Sequence, residues 1–542
     1  MLDRILKTIC SRGIRLKRDE DGSILIFSLF LFVIMLMVSG LAVDFMRAET
    51  KRIQLQSTLD RAVLAAASMK QSLDSETVVR DYFERAGLDE YLQDVTVTET
   101  EINKTVRAVA AAAVQPYFLN MLGFEQLPAK AGGTAREGLS NIEISLILDV
   151  SGSMGWTSST SGNRKIEDLK NAAQEFVYRV QCNPDTANLF NDPCTIDVNA
   201  VSINLVMYNE QVLVGESLLQ RFNVTNEHTY SSCVDFEDAS YFDTNIEITD
   251  PLQRAGHIDA RTMWQRDSSP DSHLAREYRR ACRPDPHNEI IPLEEDWVTL
   301  FDRIENLTPG GYTSIEMGMK WGAALLDPAF RPVTGLEVIK YSATGGAEGI
   351  IPEFLPRPHN FTFGGVEKFI VLMTDGENTS HTELKDEYYS GLSEVFLDND
   401  TGMISVYRQS QNNYVNPITG GTQSDPWGTD PRQLDFVELW ERFGTDFYDN
   451  SQNNSGAHTY LPNPVYQSTP ANKNSNLVHV CQAVNDKAVT IYTVGFETTT
   501  SSTAVLKKCA SSHAHHFDVD GNSIDDAFAA IARDIQKLRL VN

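Results

Sequence analysis

Residues 22 to 43, GSILIFSLFLFVIMLMVSGLAV, form an apolar run without a single charge. As a helix this run spans about 33 Å, close to the roughly 30 Å hydrocarbon thickness of a bilayer, and it is expected to cross one. The next stretch, 44 to 70, is free of Gly and Pro and rich in helix formers. The helix is therefore expected to continue into water as a stalk. Its apolar positions Ile53, Leu55, Leu59, Val63, Leu64 and Ala67 recur at roughly helical spacing, the pattern of a face that packs on a core. Residues 94–100 and 104–113 alternate in polarity and predict a hairpin turning at Ile102 and Asn103. A short helix around PYFLNML and a strand over 127–137 complete a small α+β unit, giving a domain over 44–139.

From residue 140 the pattern changes. The apolar strand 142–148 ends abruptly in the polar loop DVSGSMG, and residues 165–181 then place Ile166, Leu169, Ala172, Ala173, Phe176 and Val177 on one helical face. Further strands are expected at 197–207, 211–215, 368–373 and 488–494. Helices are expected at 293–306, 314–326, 475–486, 502–510 and 523–538. Strands alternating with helices imply an α/β domain over 140–542, with a mainly parallel sheet covered on both faces. Ligands of such sheets bind at the carboxyl ends of the strands. Three stretches, near 220–290, 330–365 and 380–470, break the alternation and are rich in Asn, Asp, Ser, Pro, Gly and Tyr. They read as insertions, since long loops in a compact domain are usually functional or disordered.

Charge narrows the partners. With 46 basic against 74 acidic residues in 542, the formal charge is -28, which disfavours nucleic acid and anionic lipid as general partners and favours a cation. Arg4, Lys7, Arg12, Arg15, Lys17 and Arg18 precede the span, and Arg47, Lys51, Arg52 and Arg61 follow it. The excess on the first side predicts a cytoplasmic segment over 1–21. A cleaved signal is the competing reading, but the run is long and no A-x-A site follows. A prepilin-like leader ending at Gly22 is a third reading, although Phe27 stands where such leaders usually carry Glu. Cys10 precedes the span, while Cys182, Cys194, Cys233, Cys282, Cys481 and Cys509 follow it. An even set in an exported region permits three disulfides. Cys481 with Cys509 suits a bridge, with two buried thiols as the alternative, and Cys182–Cys194 and Cys233–Cys282 are the expected remaining pairs. No C-x-x-C spacing occurs, which disfavours zinc.

The candidate chemistry begins at Asp149, Ser151 and Ser153, one carboxylate and two hydroxyls on a tight turn after a buried strand. An all-oxygen set of this kind suits magnesium, which prefers near-octahedral oxygen ligands and keeps several waters. Thr313, on the glycine-rich turn Pro309 to Thr313, and Asp375, after the apolar strand FIVLMT, add a hydroxyl and a carboxylate on the same expected edge. Together these elements resemble the von Willebrand factor A domain and its metal-ion-dependent adhesion site, over roughly residues 140 to 540. The resemblance implies that Ser151, Ser153 and Thr313 touch the ion while Asp149 and Asp375 act largely through water. It also implies an open position filled by an acidic group of a protein partner. Manganese or calcium could replace magnesium at such a site.

The leader region DGSILIFSLFLFVIMLMVSGLAVDFMRAETKRIQLQSTLDRAVLAAA and the terminal LKKCASSHAHHFDVDGNSIDDAFAAIARDIQKLRL are similar to TadG-like proteins of bacterial tight-adherence (Flp) pilus systems. That resemblance implies an inner-membrane anchor through residues 22–43, an exported A domain and contacts with pilus or secretion components. A surface adhesin that uses the ion to grip an external ligand is the alternative. An enzyme is not expected, because no H-E-x-x-H, G-x-S-x-G or nucleotide-binding loop lies near these ligands. His513, His515 and His516 read as a solvated loop, and Asp398, Asp400, Asp518 and Asp520 as turns, because the later ligands of a calcium loop are missing.

Overall fold

The computed structural model describes residues 21–68, 73–99, 103–138, 141–196, 200–256, 282, 285–331, 339–341, 347–349, 356–363, 365–417, 419–443 and 464–541. The basic leader with Cys10, Ile102 of the expected turn, residues 197–199 of an expected strand and parts of all three insertions lie outside these residues. The chain divides into two compact units that meet in sequence at Leu139 and Ser140.

In the first unit, helix α1 runs unbroken from Asp21 to Ala67 and is long and apolar enough to cross a membrane. Helix α2 (Ser75–Arg85) follows, its first turn capped by the Asp74 side chain, which accepts from the Thr77 amide. Strands β1 (Leu92–Glu99), β2 (Asn103–Val114) and β3 (Leu127–Gly138) form an antiparallel sheet in that order. One face of the sheet is made of small residues at period two: Val106, Ala108, Ala110 and Ala112 on β2, with Ala129, Ala131 and Ala135 on β3. Short side chains let α1 come close, and Leu55, Leu59, Ala62, Val63 and Ala66 bury against them. The approach is tightest at Gly133, where an added Cβ would lie 2.6 Å from Leu59 Cδ2. Two positions of the expected stripe, Ile53 and Leu64, are instead exposed. They fall off the i, i+4 row that Leu55, Leu59 and Val63 define. The PYFLNML segment contributes only a 3-10 turn, Leu119–Leu122.

The second unit is built on a six-stranded sheet. Its strands are β4 (Asn141–Asp149), β5 (Val201–Tyr208), β6 (Ile291–Glu294), β7 (Val366–Thr374), β8 (Thr490–Phe496) and β9 (His516–Val519). The spatial order is β9-β8-β7-β4-β5-β6; only the β5–β6 pair at one edge is antiparallel. This is the mainly parallel α/β architecture expected for an A domain. Strand residues alternate between two cores. Ile144, Leu146, Ile203, Leu205, Phe369, Val371 and Val494 face helices α3 (Lys165–Gln181), α4 (Trp297–Glu305) and α8 (Ile524–Val541). Ile147, Val206, Ile370, Leu372 and Ile491 face α5 (Ile315–Ala324), α6 (Pro470–Asp486) and α7 (Thr500–Cys509). Burial on both faces explains why these strands read as continuous apolar runs.

Several expectations are corrected. Residues 211–215 form no strand, and Leu213 makes only an isolated bridge to Glu289. The place beside β5 belongs to β6, which also shortens the helix expected over 293–306. That helix starts at Trp297, where the Asp296 carboxylate accepts from the Val298 and Thr299 amides. His516 does not lie in a solvated loop but begins the edge strand β9, its Nδ1 2.8 Å from Thr493 Oγ1. The 380–470 insertion holds a five-stranded antiparallel sheet, with strands at Leu392–Asp398, Ile404–Arg408, Asn413–Val415, Thr422–Gln423 and Pro431–Asp435. Val395, Val406, Leu434, Leu439 and Trp440 give it a core of its own. All three expected disulfides are present: Cys182–Cys194, Cys233–Cys282 and Cys481–Cys509, the last joining α6 to α7.

Candidate metal centre

The chain leaves β4 toward β5 on one side and returns later to β7 on the other. The carboxyl ends of β4 and β7 therefore flank a topological switch point, the crevice where open α/β sheets take their ligands. Asp149 ends β4, and Asp375 directly follows β7. Both carboxylates are buried, as are Ser151 and Thr313.

Direct contacts join four of the five candidate residues. Ser153 Oγ donates to Asp375 Oδ1 at 2.6 Å, and Ser151 Oγ lies 3.1 Å from Ser153 Oγ. Asp149 Oδ1 accepts from the Ser151 amide at 2.7 Å, and its Oδ2 accepts from Thr374 Oγ1 at 2.7 Å. Asp149 thus shapes its own loop, and Thr374, the last residue of β7, ties that loop to the neighbouring strand. Thr313 arrives through the backbone. The Gly310 amide donates to Val150 O at 2.8 Å, and the Gly152 amide to Gly311 O at 2.9 Å. Two glycines make this crossing possible. A Cβ on Gly152 would stand 3.0 Å from Gly311 O, and Gly311 has φ +82°, a left-handed conformation that favours glycine.

The Thr313 turn is held from below by residues that the pattern of the sequence did not single out. Lys473, buried on α6, donates to Thr313 O at 3.0 Å, Ser314 Oγ at 2.6 Å and Thr379 O at 2.7 Å. Burial pulls this ammonium's pKa down, and the Glu316 carboxylate opposes that effect. The Thr313 amide donates to Thr379 Oγ1, and the Ile315 amide, in the first turn of α5, to Asn378 Oδ1. The loop after β7 therefore clasps both Asp375 and Thr313 in one framework.

Lys165, the first residue of α3, is the second unanticipated cation. Its Nζ donates to Asp375 Oδ2 at 3.0 Å and lies 3.7 Å from Glu497 Oε2. Glu497 follows β8 with φ +53° and accepts from Ser158 Oγ at 2.7 Å and the Ser159 amide at 3.0 Å. These hydrogen bonds overcome burial and hold its carboxyl below the usual range. Glu497 was findable in principle, as an acidic residue just past the carboxyl end of a parallel strand. Lys165 carried no such signal.

The donors suit a hard cation. Burial first, and the nearby Asp375 carboxylate second, push the Asp149 pKa up to about 7. A second positive charge between these carboxylates would relieve that repulsion. The hydroxyls of Ser151 and Ser153 converge with an Asp375 oxygen, and Thr313 stands on the adjoining turn, giving the oxygen-only set that magnesium takes. Among the described residues no group of three or more His, Cys, Asp or Glu side chains is arranged to hold a metal ion. The metal candidate rests instead on the converging hydroxyl and carboxylate oxygens at the switch point. Asp398 ends an inserted strand and Asp520 follows β9, accepting from the Thr401 and Asn522 amides of the turns beyond them, whereas Asp518 lies within β9 and not in a turn as expected.

An α/β A-type domain with a polar cluster at its switch point is the class that fold and site define. The first unit is more particular: residues 22–69 match the family model described as "Putative Flp pilus-assembly TadE/G-like". The match covers the apolar span and the stalk. Among solved structures, the chain is similar to the vWF domain of the type V pili tip protein Mfa5 from Porphyromonas gingivalis. The identity is 16%, the alignment covers 74% of this chain and 97% of that one, and the TM-score is 0.32. It is also similar to proximal thread matrix protein 1 from the mussel byssus, at 10% identity, 73% and 46% coverage and a TM-score of 0.26. No curated protein matches the sequence.

Proposed function

We propose that this protein is a membrane-anchored component of Tad-type pilus assembly or anchoring, and that it binds a protein partner through a divalent cation. The observation that carries the reading is one chain combining a TadE/G-like segment over residues 22–69 with converging oxygen donors at a switch point. Ser151, Ser153 and Thr313 would hold magnesium directly, with Asp149 and Asp375 acting through water. An acidic side chain of the partner would complete the shell. The role is binding rather than catalysis. Residues 22–43 cross the inner membrane with the N-terminus in the cytoplasm, which puts the second unit in the periplasm or at the surface. Disulfides at Cys182, Cys233 and Cys481 support an oxidising compartment.

The test is Asp149→Ala in the full chain, with pilus assembly and attachment scored separately. Loss of pili supports the assembly role of the site. Intact pili with abolished attachment would overturn it in favour of an adhesin. A pull-down from membranes with and without chelator tests the ion bridge, and a partner retained equally in both would refute it.

A further inference from the structure

We propose that the apolar loop 117–124 of the first unit lies in the interfacial layer of the bilayer that α1 crosses, making a second, non-spanning contact with lipid. Tyr117, Phe118, Met121, Leu122 and Phe124 are all exposed, Met121 by 86%. Such a cluster on a folded unit marks an interaction surface. What it contacts follows from where the loop is fixed.

Phe118 packs on Gly40, inside the apolar run, where an added Cβ would fall 2.4 Å from the Phe118 ring. One helical turn later, the fully buried Asp44 carboxylate accepts from three successive amides, those of Tyr117 at 2.8 Å, Phe118 at 2.7 Å and Leu119 at 2.8 Å. Arg47 then lies with its guanidinium 3.9 Å from the Tyr117 ring centre and donates to Gln115 O. The loop is thereby pinned to residues 40–47, the segment where the charge-free run ends and charged positions begin. Helical rise is about 1.5 Å per residue, so this segment extends only a few ångströms beyond a hydrocarbon core filled by residues 22–43.

The composition suits that depth. Phe45 and Met46, which follow Asp44 on α1, are exposed as well. Aromatic rings beside Arg and Lys are the usual furnishing of a membrane–water interface, where rings sit at headgroup level and cations reach the phosphates. A cavity of about 520 Å³ begins at Val43 and runs along α1 to Gln54, lined also by Met46, Arg47, Lys51 and Tyr91. Its two cations fit the phosphate of a phospholipid headgroup. Asp44 acts as the positioning residue, since it alone satisfies three amides of the loop with one carboxylate.

The proposal rests on α1 crossing a membrane, and the experiment separates the two claims. The full chain carrying Cys10→Ser is reconstituted in phosphatidylethanolamine–phosphatidylglycerol vesicles, with a nitroxide attached through Phe32→Cys, Met121→Cys or Arg85→Cys. Collision with oxygen and with a water-soluble nickel chelate is then measured at each position. The expected result is a several-fold higher oxygen-to-nickel ratio at 121 than at 85, and a higher one still at 32. A ratio at 121 equal to that at 85, with 32 still lipid-like, overturns the loop contact and leaves the span intact. Water-like ratios at both 32 and 121 overturn the span as well. A label at 121 that is immobile and shielded from both reagents overturns the proposal in favour of a protein contact, either with a second copy or with the other unit. Asp44→Asn in the Met121→Cys chain should lower the ratio at 121 without changing that at 32.

Discussion

The two units solve the same packing problem with opposite residues. In the first, a sheet face of alanines receives one long helix, and its fit depends on how closely two backbones can approach. In the second, Ile, Leu, Val and Phe fill both faces of a parallel sheet, and the fit depends on side-chain volume. The first unit should therefore suffer most from added atoms, the second most from removed ones. The second also concentrates buried ionisable groups, among them Glu143, Asp149, Lys165, Lys473 and Asp375. Its stability should respond to metal and to pH.

All six tryptophans lie in the second unit, so their fluorescence reports its unfolding alone, while hydrogen exchange in β2 and β3 reports the first. The largest effect is expected for Leu146→Ala at the centre of β4. It should cost about 2–5 kcal/mol in urea titrations followed by tryptophan emission, with exchange in β2 unchanged. Loosening of both units together would break the comparison. Next comes the metal. At magnesium about 100-fold above its dissociation constant, the tryptophan transition should be stabilised by about 2.7 kcal/mol, and Asp149→Ala or a chelator should abolish this. Gly133→Val should act in the opposite place, destabilising the first unit by about 1–3 kcal/mol through the clash with Leu59 and leaving tryptophan emission unmoved.

The smallest effect concerns Asp235, which accepts from Gln211 Nε2 and from the Tyr389 hydroxyl. Burial and the Glu383 carboxylate push its pKa from 3.8 up to about 6. The folded state thus holds this proton more tightly than the unfolded chain. The resulting stabilisation is complete below the unfolded value and lost as pH rises through about 6. Asp235→Asn should match the parent near pH 3.5 and exceed it at pH 8 by on the order of 1 kcal/mol. Equal melting temperatures at pH 8 would refute the assignment.

Periodicity made the long elements readable. The span, β4, β7, β8, α3 and the hairpin of the first unit all carry uninterrupted apolar or alternating patterns. The inserted sheet escaped because its strands are short and sit among Asn, Gly and Pro, and only the fold assembles their few apolar residues into one core. At the candidate centre, Asp149, Ser151, Ser153, Thr313 and Asp375 were legible as polar breaks at the ends of strands or on a glycine-rich turn. Lys165 and Lys473 were not, because their partners lie far away in sequence. The same is true of Glu143, which sits in the middle of an apolar strand read as plain core. It is fully buried there, and it pairs with Lys368 at 2.5 Å and His359 at 2.7 Å.

Helix α1 passes from residue 21 to residue 67 without interruption, so no flexible tether separates the apolar span from the sheet packed against the stalk. Tension applied to that sheet is delivered along a stiff rod, as shear on its alanine face and as extraction force on the membrane. Under such a load the first unit would yield by ripping the helix off its sheet or out of the lipid, and not by paying out slack.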